Sequence, residues 1–271
     1  MAKIAREKFK TYGNVFDQFT LRNLFKLSSQ GHFDELESPI SIGKEANIFT
    51  AKREDDSRVI VKIYRLENCD FNRMYDYLKY DVRYTGLKSK RRDIIFAWAQ
   101  REFRNLLKAR QAGARVPLPI TRLYNILVLE YLGDNGLIPA PAPKLKDKIP
   151  KDLQAFLDTV IATIQKMYRQ GIVHGDLSEF NILNFNETPV IIDFSQGTTI
   201  ESGNAHELLM RDIHNISRFF KKHGIATDET ELIQWVMNEP TTKTTTTDKQ
   251  RSRSNHNSGQ SKIKGDQRIN L

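Results

Sequence analysis

Between Thr20 and Gly31 the apolar residues Leu21, Leu24 and Phe25 recur at the spacing of one helical face. Thr20 stands where an N-cap belongs and Gly31 where a helix stops. The period then shortens. Residues 47–52 read as a strand, and Arg58–Tyr64 alternates, with Val59, Val61 and Ile63 on one side and Ile60, Lys62 and Tyr64 on the other. Residues 81–93 hold Arg83, Lys88, Lys90, Arg91 and Arg92 around Gly86 with little apolar content, which predicts a mobile basic loop. Helical period returns over 94–111 and ends at Gly113.

Further on, 126–131 reads as a buried strand and 133–143 as a Pro- and Gly-rich connector. The strongest periodicity runs over 153–170, with Phe156, Leu157, Val160, Ile161, Ile164 and Met167 inward and Gly171 at the end. A polar loop, a short apolar segment at Ile182–Phe185 and a strand at 190–194 follow, then helices over Ala205–Lys222 and Glu229–Met237. From residue 241 onward Thr, Ser, Lys, Asn and Gln dominate, a composition that cannot bury a core. The order predicts an α+β protein of two lobes: a helical extension over 1–38, a small β-rich lobe over 39–132, a larger, mainly helical lobe over 133–240 and a disordered basic tail over 241–271. The hinge falls near 130–136.

Composition narrows the classes. Hydrophobic residues make up 39% of the 271, enough for a core of this size. No stretch approaches the ~18 apolar residues of a membrane span, and the first ten residues lack a signal-peptide pattern. One cysteine, Cys69, rules out an internal disulfide, and the six histidines show no metal-ligand spacing. A cytoplasmic monomer is expected. The net charge of +9 suits an anionic partner, and residues 241–271 hold seven Lys and Arg against two Asp.

The chemistry concentrates in Val173-His174-Gly175-Asp176-Leu177-Ser178-Glu179-Phe180-Asn181, followed by Ile191-Ile192-Asp193-Phe194. Phosphoryl transfer needs a carboxylate to orient and deprotonate the acceptor, and hard oxygen ligands for a metal on the phosphates. His-x-Asp-x-x-x-x-Asn, then Asp-Phe at a strand end, supplies all three. Asp176 is the expected base, and Asn181 and Asp193 are the expected metal ligands. Upstream, Lys62 is placed to neutralise phosphates, and Glu102, four residues from both Trp98 and Leu106 on an apolar stripe, is its expected partner. Ser41, Gly43 and Lys44 precede the strand at 47–52, where a phosphate-covering turn belongs, although one glycine stands where protein kinases use three.

Taken together, Ser-x-Gly-Lys-Glu-Ala-Asn at 41–47, Val-Lys-Ile-Tyr-Arg at 61–65, Glu-Phe-Arg-Asn-Leu at 102–106, His-Gly-Asp-Leu-Ser-Glu-Phe-Asn at 174–181, Ile-Asp-Phe-Ser-Gln at 192–196 and Arg-Asp-Ile-x-Asn at 211–215 resemble the RIO family of atypical protein kinases. The likeness covers roughly 14–238 and is closest to the subfamily without an N-terminal winged helix. It implies a two-lobed protein-kinase-like fold, with ATP and magnesium, or manganese in its place, as cofactors. It also implies a nucleotide, metal and catalytic set of Ser41, Lys44, Lys62, Glu102, Asp176, Asn181 and Asp193. Glu130 and Leu132 would meet the adenine through their backbone groups, and Asp212 would brace the catalytic loop. The small ribosomal subunit precursor, its rRNA and proteins, is the implied partner, and some members form a phosphoaspartate on the metal-binding Asp.

The departures from an ordinary protein kinase also carry information. Gly175 stands where regulated kinases carry an Arg, Ser195 replaces the Gly of Asp-Phe-Gly, and the segment after Asp193 is too short to dock a peptide. ATP hydrolysis or autophosphorylation on a large assembly is therefore expected, with Thr85 and Ser89 as acceptor sites. Two rivals remain. A small-molecule phosphotransferase shares His-Gly-Asp but not the 41–47 and 102–106 segments. A nucleotide-sensing assembly factor without turnover would have no use for Asp176.

Overall fold

The computed structural model describes residues 16–67, 69–134, 136 and 140–238. The basic tail and most of the N-terminal extension lie outside them.

The first helix among the described residues, α1 (Gln18–Ser29), starts one turn earlier than Thr20 suggests. Asp17 is the cap, its carboxylate accepting from the Phe19 and Thr20 amides at 2.9 and 3.1 Å, while the Thr20 hydroxyl donates to the same carboxylate at 2.6 Å. An ionised acceptor serves the orphan amides better than a hydroxyl. A strand the pattern does not reveal, β1 (Glu35–Ile42), straddles the 38/39 boundary. It pairs with β2 (Ala46–Lys52), so Gly43 and Lys44 form the turn of a hairpin. Then come β3 (Arg58–Tyr64), α2 (Phe71–Lys79), a 3-10 turn (Val82–Tyr84), α3 (Arg91–Gln111), β4 (Pro119–Leu123) and β5 (Ile126–Glu130). The five strands form one antiparallel sheet in the order β1-β2-β3-β5-β4.

The alternation in β3 divides the small lobe as its sequence suggests. Val59, Val61 and Ile63 join Leu24, Leu27, Phe49 and Val128 in a core under α1. Tyr64 belongs to the larger core on the opposite side, with Trp98 and Leu106 of α3, Met74 and Leu78 of α2, and the helices below. The expected mobile loop at 81–93 is partly structured: Asp81 is buried, Arg83 grips it, and α3 already begins at Arg91. Thr85 and Ser89 are exposed within it.

Below the connector, where β6 (Gly133–Asp134) pairs with β7 (Ala140–Pro141), the larger lobe is built on α4 (Leu153–Arg169), α5 (Ala205–Lys222) and α6 (Glu229–Met237). Between α4 and α5 run β8 (Ile172–Val173), β9 (Ile182–Phe185), β10 (Thr188–Ile191) and β11 (Thr198–Thr199). β9 and β10 form a hairpin, while β8 pairs with β11. These pairings bring residues 174–181 beside residues 192–197. The strand expected at 190–194 ends at Ile191, because Asp193 takes a left-handed conformation at φ 63° that no ladder accommodates.

Candidate active site

A cleft of about 390 Å³ lies between the lobes, with Ile48, Ile60 and Leu129 above, Leu183 and Ile192 below and Leu132 at the hinge. An apolar slot with a few convergent polar groups is the usual form of a small-ligand site. The polar residues along its wall are Ser41, Lys62, Glu102, Glu130, Lys144, Asp147, Asn181 and Asp193.

Lys62 ties three elements together. From β3 its ammonium donates to Glu102 of α3 at 2.7 Å and to Asp193, after β10, at 3.0 Å. Tyr64, on the same strand face, donates its hydroxyl to the other Glu102 oxygen. Lys62 and Glu102 are 6% and 1% exposed, so neither charge is tolerable without the other. Burial disfavours the ammonium, but Asp193 and Glu102 outweigh it and hold Lys62 above its usual pKa. Burial likewise raises Glu102, with Lys62 opposing. For Asp193 burial acts upward too, yet the adjacent Lys62 prevails and the carboxyl sits at about 2. It is an anion at any physiological pH.

Asp176 lies in the turn after β8. Its backbone carbonyl accepts from Asn181 Nδ2 at 2.8 Å, and its carboxylate accepts from Gln196 Nε2 at 3.0 Å. Burial, then the negative Asp193, raise its pKa, the direction a proton acceptor requires. The turn itself is fixed by Asp212 of α5, whose two carboxylate oxygens accept the Gly175 and Leu177 amides, each at 2.7 Å. Burial pushes Asp212 up to about 7 against the pull of those amides. Gly175 is required here: φ is +78°, and a Cβ would stand 3.0 Å from the Gln196 carbonyl. His174 is buried; it accepts the Asp176 amide at Nδ1, 3.3 Å, so Nε2 carries the proton and donates to the Ile192 carbonyl at 3.0 Å. Burial lowers its pKa to about 4, which keeps the ring neutral.

The expected residues separate into two groups. Lys62, Glu102, Asn181 and Asp193 converge on the cleft, with Asp176 beside Asn181. Ser41 lines the cleft from β1, whereas Gly43 and Lys44, in the hairpin turn, do not, and Lys44 is exposed. The Glu130 carboxylate turns away to Arg115, with two contacts of 2.9 Å, and its amide serves the Leu118 carbonyl. The Leu132 amide finds no acceptor among the described residues. For a metal, the donor chemistry fits magnesium. Asn181 commits its nitrogen to the loop, leaving its oxygen as the available donor beside the ionised Asp193. Among the described residues there is no group of three or more His, Cys, Asp or Glu that could hold a metal ion.

Sequence reasoning missed the groups that hold these side chains. Asn105 Nδ2 donates to the Phe194 and Gly197 carbonyls at 3.0 and 2.7 Å, and Arg101 Nε to Gly197 at 2.8 Å. Arg83 joins Asn105 Oδ1 at 2.9 Å and Asp81 at 2.6 Å. Asn105, a polar residue three positions beyond Glu102 on the buried face of α3, is the available signal. Gln196 offered none, since its partner is 20 residues away.

Comparison with known proteins agrees with this geometry. The RIO domain family matches residues 47–232. The chain is 38% identical over 230 residues to the RIO-type serine/threonine-protein kinase Rio1 of Haloferax volcanii, covering 85% of this chain and 78% of that one. It is 39% identical over 231 residues, with the same coverage, to the Rio1 kinase of Methanocaldococcus jannaschii. Among solved structures, the Rio2 kinase-ADP/Mg2+-phosphoaspartate complex from Chaetomium thermophilum has a TM-score of 0.62 at 23% identity, over 82% of this chain and 67% of that one, which establishes the two-lobed kinase fold.

Proposed function

The chain belongs to the RIO domain family and is a serine/threonine protein kinase, and from that premise we propose that it transfers the terminal phosphate of magnesium ATP to hydroxyl acceptors during maturation of the small ribosomal subunit. The observation that carries the mechanistic reading is the bridge from Lys62 to both Glu102 and Asp193, with Asp176 and Asn181 alongside. Lys62 would contact the nucleotide's phosphates, and the Leu132 amide the adenine edge. Asn181 and Asp193 would hold magnesium, which neutralises charge on the transferred group. Asp176, held by Gln196, would take the acceptor's proton.

Three further features support the finer reading. Residues 194–204 are short and largely buried, and they leave no extended segment on which a peptide could lie. That favours autophosphorylation, ATP hydrolysis or an acceptor delivered by a large assembly. Thr85 and Ser89 are exposed on the segment that runs from α2 to α3, within reach of solvent and of another molecule. Lys88 and Lys90 in the same segment, with Arg91 and Arg92 at the start of α3, suit an RNA backbone, whose binding weakens steeply with salt. Asp193, held as an anion, is the residue that would carry a phosphoaspartate. No helix among the described residues is long and apolar enough to cross a membrane, consistent with the cytoplasmic site we propose.

Single-turnover reactions with γ-labelled ATP test this, run with small-subunit particles, with a generic peptide and with an aminoglycoside. Label on the enzyme or released phosphate, stimulated by particles and abolished in Asp176→Ala, is the expected result. Equal turnover by wild type and Asp176→Ala would leave a binding role alone, and rapid labelling of the aminoglycoside would make this a small-molecule enzyme.

A further inference from the structure

The stretch between α2 and α3 carries a buried carboxylate that the proposed chemistry does not use. Asp81, 1% exposed, caps the 3-10 turn by accepting the Arg83 amide at 3.1 Å. The same oxygen accepts from Arg83 Nε at 2.8 Å, and the other from Arg83 Nη2 at 2.6 Å, so carboxylate and guanidinium meet fork to fork. The second oxygen also stands 3.3 Å from Nε of Arg101, a cation of α3 that is itself 1% exposed. Asp81 therefore neutralises a charge buried in another element. Arg101 can spare little, since its Nη1 is buried without a partner among the described residues.

The far side of this cluster touches the residues that follow Asp193. Arg101 donates from Nε to the Gly197 carbonyl at 2.8 Å and from Nη2 to the Gln196 carbonyl at 3.3 Å. Asn105 lies one turn along α3, and its amide can serve this backbone in one orientation only. Arg83 sets that orientation. Its Nη1 donates to Asn105 Oδ1 at 2.9 Å, which turns Nδ2 toward the Phe194 and Gly197 carbonyls, at 3.0 and 2.7 Å. The approach is close, for a Cβ on Gly197 would stand 2.8 Å from Asn105 Nδ2. Gln196, whose carbonyl is held here, is the residue whose side chain donates to the Asp176 carboxylate. A continuous series of polar contacts thus runs from Asp81 through Arg83 and Asn105 to the backbone of 194–197, and on to Asp176.

We infer that Arg83 is a positioning residue for phosphoryl transfer. Held by Asp81, it orients Asn105, and through the carbonyls of Phe194 and Gly197 it fixes Gln196 against Asp176. The inference rests on the phosphoryl-transfer reading above. It makes the docking of 81–84 on α3 a condition of full activity, although none of those four residues lines the cleft. The same stretch runs on into the exposed Thr85. A molecule that draws it away from α3 therefore loosens the group that takes the acceptor's proton, at a distance from the nucleotide.

The test compares Arg83→Met, Arg83→Lys, Gln196→Ala and the double variant Arg83→Met with Gln196→Ala, each in the full chain and well below its melting temperature. Arg83→Met leaves Asp81 its contact with Arg101. Its affinity for magnesium ADP should stay within about twofold of wild type. Single-turnover transfer should slow by about 10-fold, because the proton acceptor is misplaced rather than removed. Arg83→Lys keeps a charge on Asp81 but loses the fork that reaches Asn105, and should fall between the two. Gln196→Ala should slow transfer as well, and the double variant should be no more than about twofold slower than Gln196→Ala, since steps of one path do not add. A residue that only stabilised the fold would lower melting and leave transfer at the wild-type rate, or give losses that add. Either result, or an equal fall in ADP affinity, would overturn the assignment. Should Arg83→Met fail to fold, Arg83→Lys and its pair with Gln196→Ala carry the same comparison. If wild type transfers nothing, the kinase reading falls instead. Amide exchange over 194–199 then decides the anchoring alone: faster exchange in the Arg83 variant upholds it, and unchanged exchange overturns it.

Discussion

The floor and the roof of the cleft are built on different principles. On the floor, backbone and side chains lock one another: Asp212 pins two amides around Asp176, His174 joins the catalytic turn to Ile192, and Asn105 and Arg101 hold the carbonyls that follow Asp193. Asp193 keeps a left-handed conformation that only such over-determination sustains. The roof is a hairpin whose turn places Lys44 in solvent and whose strand β1 is mostly exposed, with Ile42 at 69%. Chemistry that needs a proton acceptor and metal ligands in fixed places belongs on the locked side, while a covering that admits and releases a nucleotide belongs on the open one.

Substitutions that unpick the floor should therefore outweigh those in the roof. The largest effect is expected from Asp176→Asn, which removes the proposed proton acceptor but preserves its shape; transfer should fall about 10²–10⁴-fold with melting unchanged. Next is Asp212→Ala, which leaves the buried Gly175 and Leu177 amides without acceptors. Denaturant unfolding should show a loss of about 3 kcal/mol, together with lost activity.

His174 gives the third contrast, read by pH. In the folded chain the ring stays neutral to about pH 4, whereas in the unfolded chain it protonates near its ordinary value of 6.5. Its folded pKa is depressed, so its contribution is complete above pH 6.5 and is lost as pH falls toward 4, a change of about 3 kcal/mol. Unfolding curves across that range should flatten in His174→Asn; an identical pH dependence in both would refute the assignment. Asn105→Ala should cost about 1–3 kcal/mol and lower transfer without changing ADP affinity, since it acts through the carbonyls after Asp193. Lys44→Ala, in the roof, should change stability by less than about 0.5 kcal/mol and leave ADP affinity near wild type.

The same contrast accounts for what could be read from the chain. Helices α5 and α6 coincide with the expected ranges: a long apolar stripe fixes α5 locally, and Asp228 caps α6 through the Thr230 and Glu231 amides. The polar residues that converge on the cleft were found through spacing, which reports chemistry independently of contacts. Strand β1 carries no periodic signal because most of it buries nothing, and Pro39 breaks its pairing register with β2. Helix α2 hid for a similar reason, with only Met74 and Leu78 buried. Arg83 read as a loop cation because its burial depends on Asp81, Arg101 and Asn105 meeting in space, which no local pattern encodes. The bond from Gln196 to Asp176 is of the same kind.

Lys62 from the small lobe and Asp176, Asn181 and Asp193 from the large one are proposed to address a single magnesium nucleotide. A crystal structure with magnesium and a non-hydrolysable ATP analogue tests it most directly. Lys62 should lie on the phosphates, with oxygens of Asn181 and Asp193 at about 2.0–2.1 Å from the metal and Asp176 facing the terminal phosphate. Metal bound away from Asn181 and Asp193, or phosphates that leave Lys62 untouched, would contradict it.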